Sequence, residues 1–164
     1  MIAEAVPRDP GPLTRYIEET FHKRHRQDLP RLTALASKIE HVHADAEEVP
    51  DGLAELLERM TGELEVHMKK EELILFPAMR RSGAMGLHEP ISVMRNDHEE
   101  HGADIARIRE LTHNMNPPND ACGSWRRLYQ ELTTFVDELE AHIALENTWL
   151  FPQFEDVTEN ATSP

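Results

Sequence analysis

Two stretches of this chain, 75 residues apart, repeat one signature: HMKKEELILFP from His67 and HIALENTWLFP from His142. The same apolar stripe leads into each. It reads Leu53, Leu57, Met60, Leu64, then His67, Glu71 and Leu75 in one, and Leu128, Leu132, Phe135, Leu139, then His142, Glu146 and Leu150 in the other. Steps of four and three in the same order place all of these residues on one face of a helix, and that face must be covered.

A second repeat, at a shift of 76, precedes each of these. One stripe reads Glu18, His22, His25, Leu29, Leu32, Ala36 and Ile39, and the other reads Met94, His98, His101, Ile105, Ile108, Thr112 and Met115. The chain is thus two similar helical hairpins, each with H-x2-H on its first helix and H-x3-E on its second. That predicts an all-α fold, an antiparallel up-down four-helix bundle. Loop-forming stretches rich in proline and glycine at 10–12, 45–52, 82–86 and 116–123 bound helices predicted over about 13–43, 52–80, 88–115 and 122–151. The domain organisation expected is a flexible leader over 1–12, the bundle over 13–152 and a disordered tail over 153–164. Pro30 should kink or split the first helix.

The stripes carry chemistry that packing does not explain. Each H-x3-E stacks a histidine and a glutamate on the buried face, and a buried ionised glutamate is costly unless it is paired or binds a metal. A single core histidine is more often a hydrogen-bonded structural residue, and one H-x3-E on a helix proves little. The duplication changes the weighing, because both units recur at the same stripe phase with a histidine partner upstream. Folding each hairpin about its loop leaves His22 and His98 about five residues, roughly 7.5 Å, from the level of the H-x3-E pairs, a gap that helix stagger and long side chains absorb.

The candidate ligands are therefore His22, His67, Glu71, His98, His142 and Glu146. Imidazole and carboxylate without thiolate suit iron, manganese or zinc. Six ligands are too many for one tetrahedral zinc, and inward His and Glu from all four helices is the layout of dinuclear carboxylate sites. The expected cofactor is two non-haem iron ions with Glu71 and Glu146 bridging, an oxo or hydroxo bridge, and room for a diatomic ligand. His25 and His101 also lie on the stripes, as a fifth ligand, as hydrogen-bond partners of ligands or as packed side chains, and rank below His22 and His98. His43 is about 31 Å along the helix from His22, too far to share the site. His41, His88 and His113 are expected at the surface.

Composition narrows the rest. A net charge of −14 argues against nucleic acid as a partner. The short basic run from Lys23 to Arg26 reads as a solvated helix side. A single cysteine, Cys122, excludes an internal disulfide and a multi-cysteine zinc site. No apolar run approaches the ~20 residues that span a bilayer, and the N-terminus MIAEAVPRDPGP does not read as a signal peptide. No membrane association is expected, and the cytoplasm is the expected location.

The stretches FHKRHRQDLP, IEHVHAD, HMKKEELILFP, EPISVMRNDH, NPPNDAC and HIALENTWLFP, spread over residues 15–152, resemble the hemerythrin-like cation-binding family. They are most similar to the repair-of-iron-centres proteins, bacterial di-iron proteins linked to nitrosative and oxidative stress. The resemblance implies the same six ligands with both glutamates bridging, and it selects His22 over His25. It also matches Glu63 and Asp97 to acidic positions near the family's site. Many members carry a further N-terminal domain with adjacent cysteines. Here the bundle starts near residue 13 after a proline-rich leader, a departure from that pattern. The function implied is reaction with nitric oxide, iron supply to damaged iron–sulfur proteins, or both. The alternative is a hemerythrin-type carrier or sensor of dioxygen. Bulk iron storage is disfavoured by one dinuclear site per chain.

Overall fold

Four long helices carry the four stripes, and each boundary has a local cause. The computed structural model describes residues 5–155 and contains no strand among them. Helix α1 (10–42) starts as Pro10–Ile17, passes through a wide π turn at Glu18–His22 and continues as Lys23–Val42. It begins three residues earlier than predicted, with proline in its first turn, where a missing N–H is harmless. Helix α2 (53–80) is Leu53–Lys70, a π turn at Glu71–Leu75, and Phe76–Arg80. Helix α3 is His88–Leu111. Helix α4 (123–153) is Gly123–Leu145, a π turn at Glu146–Leu150, and a tight last turn at Phe151–Gln153.

Pro30 does not split α1. It lies inside Lys23–Val42 on the exposed side, where water can replace the missing N–H donor. The irregularity of α1 is the π turn ending at His22. Helix α3 stops four residues short of the prediction. His113, Asn114 and Met115 take left-handed φ values of 53°, 60° and 58° and turn the chain out of the helix. The start of α2 is capped from α1: the Glu40 carboxylate accepts the N–H of Gly52 at 2.8 Å and of Ala54 at 2.7 Å.

The covered stripes form two apolar clusters with a polar layer between them. The larger cluster includes Leu29, Leu32, Leu57, Leu64, Ile105, Leu132, Phe135 and Leu139. The smaller includes Leu13, Ile17, Leu75, Phe76, Met94, Leu150 and Phe151. Each helix leaves one cluster and enters the other through its histidine or its His/Glu pair. From residue 156 on, the expected disordered tail lies outside the described residues, as do the first four residues of the leader. Among the described residues, no helix is long and apolar enough to cross a membrane.

Candidate metal centre

Three of the four helices widen where they meet the polar layer. His22 closes one π turn, and Glu71 and Glu146 open the other two. In the latter two the N–H of Phe76 bonds the carbonyl of Glu71, and that of Phe151 bonds Glu146. The proline after each phenylalanine explains the turn. It has no N–H, its ring would collide with the carbonyl four residues back, and a widened turn relieves the collision. The phenylalanines have a task of their own. Phe76 stacks on the His22 ring at 5.9 Å between centroids, and Phe151 stacks on His98 at 5.6 Å.

All six candidate ligands converge, and all are buried. Glu71 sets Oε1 3.1 Å from Nε2 of His22 and Oε2 3.4 Å from Nε2 of His67. Glu146 sets Oε1 2.9 Å from Nε2 of His98 and Oε2 2.8 Å from Nε2 of His142. Two pockets result. His22, His142, Glu71 and Glu146 bring four ligand atoms within 4.8 Å of one another, and so do His67, His98, Glu71 and Glu146. Each pocket takes one histidine from each hairpin, and both glutamates belong to both.

The far nitrogen of each ring is held by the next helix. His22 Nδ1 lies 2.7 Å from Glu72 Oε2, His67 Nδ1 3.0 Å from Asp97 Oδ2, His98 Nδ1 2.8 Å from Asn147 Oδ1, and His142 Nδ1 3.0 Å from His25 Nε2. The bonds run α1 to α2, α2 to α3, α3 to α4 and α4 back to α1, once around the bundle. Glu72, Asp97 and the Asn147 carbonyl only accept, so Nδ1 of His22, His67 and His98 carries the proton and Nε2 presents a lone pair to a carboxylate oxygen. Acceptor faces acceptor. In the second pocket His67 Nε2, Glu71 Oε2, His98 Nε2 and Glu146 Oε1 are all buried without a hydrogen bond. Buried polar atoms are rarely left so. Bare imidazole nitrogens alternating with carboxylate oxygens are a donor set that a cation satisfies, so the residues present fit a metal in each pocket.

The electrostatics agree. Burial, then the charge of Glu146, pushes Glu71 well above the usual carboxylate range. Burial acts in the same sense on Glu146, but His142 and His98 hold it well below that range. Burial and the neighbouring histidines lower His22 to about 4, His25 to about 2 and His101 to about 3, so all three are neutral at pH 7.

The remaining candidates separate cleanly. His25 is fully buried against His142 and belongs to neither pocket. It also corrects the solvated basic run: Lys23 and Arg24 are exposed, His25 is not, and Arg26 forks onto Glu65 and Glu72. His101 is buried with its ring 5.1 Å from that of His67, also outside both pockets. Asp97 binds His67, whereas Glu63 is exposed and pairs with Arg59. His43 lies 3.3 Å from the Cys122 sulfur, away from the centre, and His41, His88 and His113 are exposed. Sequence reasoning missed Glu72 and Asn147. The available signal was their shared place, directly after the glutamate of each H-x3-E.

A four-helix bundle with a twinned histidine–glutamate pocket between two apolar clusters defines a cation-binding helical domain. Residues 15–154 match the hemerythrin HHE cation binding domain, and the chain belongs to that family. It is 45% identical over 138 residues to the iron-sulfur cluster repair protein YtfE of Pectobacterium carotovorum, covering 84% of this chain and 62% of that protein. It is 44% identical over 138 residues, with the same coverage, to a probable iron-sulfur cluster repair protein of Haemophilus influenzae. To the YtfE of Cronobacter sakazakii it is 43% identical over 146 residues, 87% of this chain and 66% of that one. The chain spans roughly three fifths of the length of these relatives.

Proposed function

We propose that the chain holds two non-haem iron ions, one in each pocket, bridged by Glu71, Glu146 and an oxo or hydroxo group. We further propose that it serves in the cytoplasm against nitrosative and oxidative stress, by reacting with nitric oxide, by supplying iron to damaged iron–sulfur proteins, or both. The observation that carries the reading is the division of each carboxylate: its two oxygens face two different histidines. The names of the relatives support the repair role, and the donor set supports iron.

Iron in the pockets would supply redox chemistry and open positions for a diatomic ligand. The chain's own residues do the rest. Glu72, Asp97 and Asn147 fix three rings with Nε2 bare. Phe76 and Phe151 clamp two of those rings. Burial keeps bulk water from the carboxylates. A dioxygen carrier fits less well, because neither His25 nor His101 joins a pocket to make a fifth histidine ligand.

The test is anaerobic reconstitution with ferrous iron, metal analysis, then nitric oxide. Two irons per chain and an iron-nitrosyl signal, or transfer of iron to a cluster-free acceptor, are expected. One zinc per chain, or neither activity at full iron loading, would overturn the reading.

A further inference from the structure

The four ring anchors are not alike. Two of the partners are carboxylates and the third presents its amide oxygen, so each accepts and leaves the Nε2 of its histidine bare. The fourth is another imidazole. His25 Nε2 lies 3.0 Å from His142 Nδ1, and either nitrogen can be the donor. His25 is fully buried, and its other nitrogen, Nδ1, has no hydrogen-bond partner among the described residues. Around it pack Phe135, edge-on at 5.5 Å, and Phe21, whose ring also stacks on His142 at 5.2 Å. Among the described residues, no carboxylate lies within hydrogen-bonding distance of the His25 ring.

Two arrangements of the same two protons satisfy the pair. In the first, His25 Nε2–H donates to His142 Nδ1, and His142 Nε2–H donates to Glu146 Oε2, 2.8 Å away. Every donor is used, but the His142 nitrogen that faces the pocket is blocked by its proton. In the second, His142 carries its proton on Nδ1 and donates to His25 Nε2, while His25 carries its own on Nδ1. His142 Nε2 is then bare, at the expense of an unpaired N–H in an apolar surround. No proton is gained or lost between the two.

We propose that His25 is a positioning residue that selects the tautomer of His142 and so opens or closes that corner of the centre to a metal ion. The inference rests on the two-metal reading. It makes the pocket of His22 and His142 the one that rearranges on metal entry, whereas the pocket of His67 and His98 is bare beforehand. It also separates His25 from its repeat counterpart. At the matching place Asp97 anchors His67, so His101 has no such duty.

Zinc, which is diamagnetic, serves as the probe. Ring 15N shifts of wild-type protein should place the protons of His25 and His142 on Nε2 without zinc and on Nδ1 with it, while His22, His67 and His98 keep theirs on Nδ1 throughout. In chelator competition, His25→Phe should weaken one of two zinc equivalents about 10–100-fold. His25→Gln, whose carbonyl can accept from Nδ1–H, should stay within a few-fold of wild type, and His101→Phe should change nothing. Fewer than two zinc ions in the wild type would count against the two-metal reading. Two zinc ions with an unchanged His142 tautomer, or with unaltered affinities in His25→Phe, would overturn this inference alone.

Discussion

Glu72 directly follows Glu71, yet the two carboxylates grip opposite nitrogens of one ring: Glu72 Oε2 lies 2.7 Å from Nδ1 of His22, and Glu71 Oε1 lies 3.1 Å from Nε2. The wide turn that begins at Glu71 lets neighbours in sequence reach both edges of His22. Arg26 then holds Glu72 in place through two hydrogen bonds, and these with the His22 bond keep its pKa low despite partial burial.

From this arrangement Glu72→Ala should release His22 from its tautomer without touching a ligand atom. Metal affinity should fall about 10–100-fold, while the fold survives. Chelator competition paired with thermal melting checks it. Unchanged affinity would mean that Glu72 is only a partner for Arg26.

Glu71→Gln is expected to separate stability from metal binding. The raised pKa of Glu71 favours its protonated form in the metal-free protein, and the amide N–H2 of glutamine can donate to the lone pair of His22 or His67 as that carboxyl proton does. Tm of the metal-free protein should therefore stay within about 2 °C of the wild type, a change of under about 1 kcal/mol, while full metal loading is lost. A larger fall in Tm would show that the amide cannot replace the Glu71 carboxyl in these contacts.

The metal-free protein should weaken as pH falls below about 6.5. His22, His25 and His101 are lowered to about 4, about 2 and about 3 by burial first, whereas in the unfolded chain they titrate near 6.5. The unfolded state therefore binds more protons, their stabilisation is complete above pH 6.5, and it is lost toward acid. Glu71, raised when folded, works in the opposite direction for one group. The net uptake of about two protons corresponds to roughly 3 kcal/mol per pH unit near pH 5. Denaturant midpoints between pH 5 and 7.5 measure this slope, and a flat profile would refute it.

Leu132→Ala should damage the fold and spare the centre. Leu132 is fully buried in the larger apolar cluster, and truncation there costs about 2–5 kcal/mol. Under conditions where the variant is folded, metal stoichiometry should equal that of the wild type. Loss of metal from folded protein would show that packing at that end controls the pockets.

Much of this was legible in the residues. Helical periodicity and its duplication predict four helices to within a few residues, because a covered face must repeat at helical spacing. The same repeat points to all six residues that converge. The errors have local causes. Pro30 reads as a break, but an exposed proline in a packed helix is tolerated. Met115 continues the stripe in sequence, yet three left-handed residues end α3 before it. The Phe-Pro pairs were visible, but not the π turns they require.

The sequence by itself determined the face each histidine and glutamate occupies, since side-chain direction along a helix follows from spacing alone. Only the tertiary structure decided which atom meets which. The division of Glu71 and Glu146 between two pockets, the ring of anchors from Glu72, Asp97, Asn147 and His25, and the different fates of His25 and His101 depend on the relative rotation and stagger of four helices. Those are set by packing between residues far apart in sequence, 117 positions in the case of His25 and His142, and spacing within a helix carries no record of them.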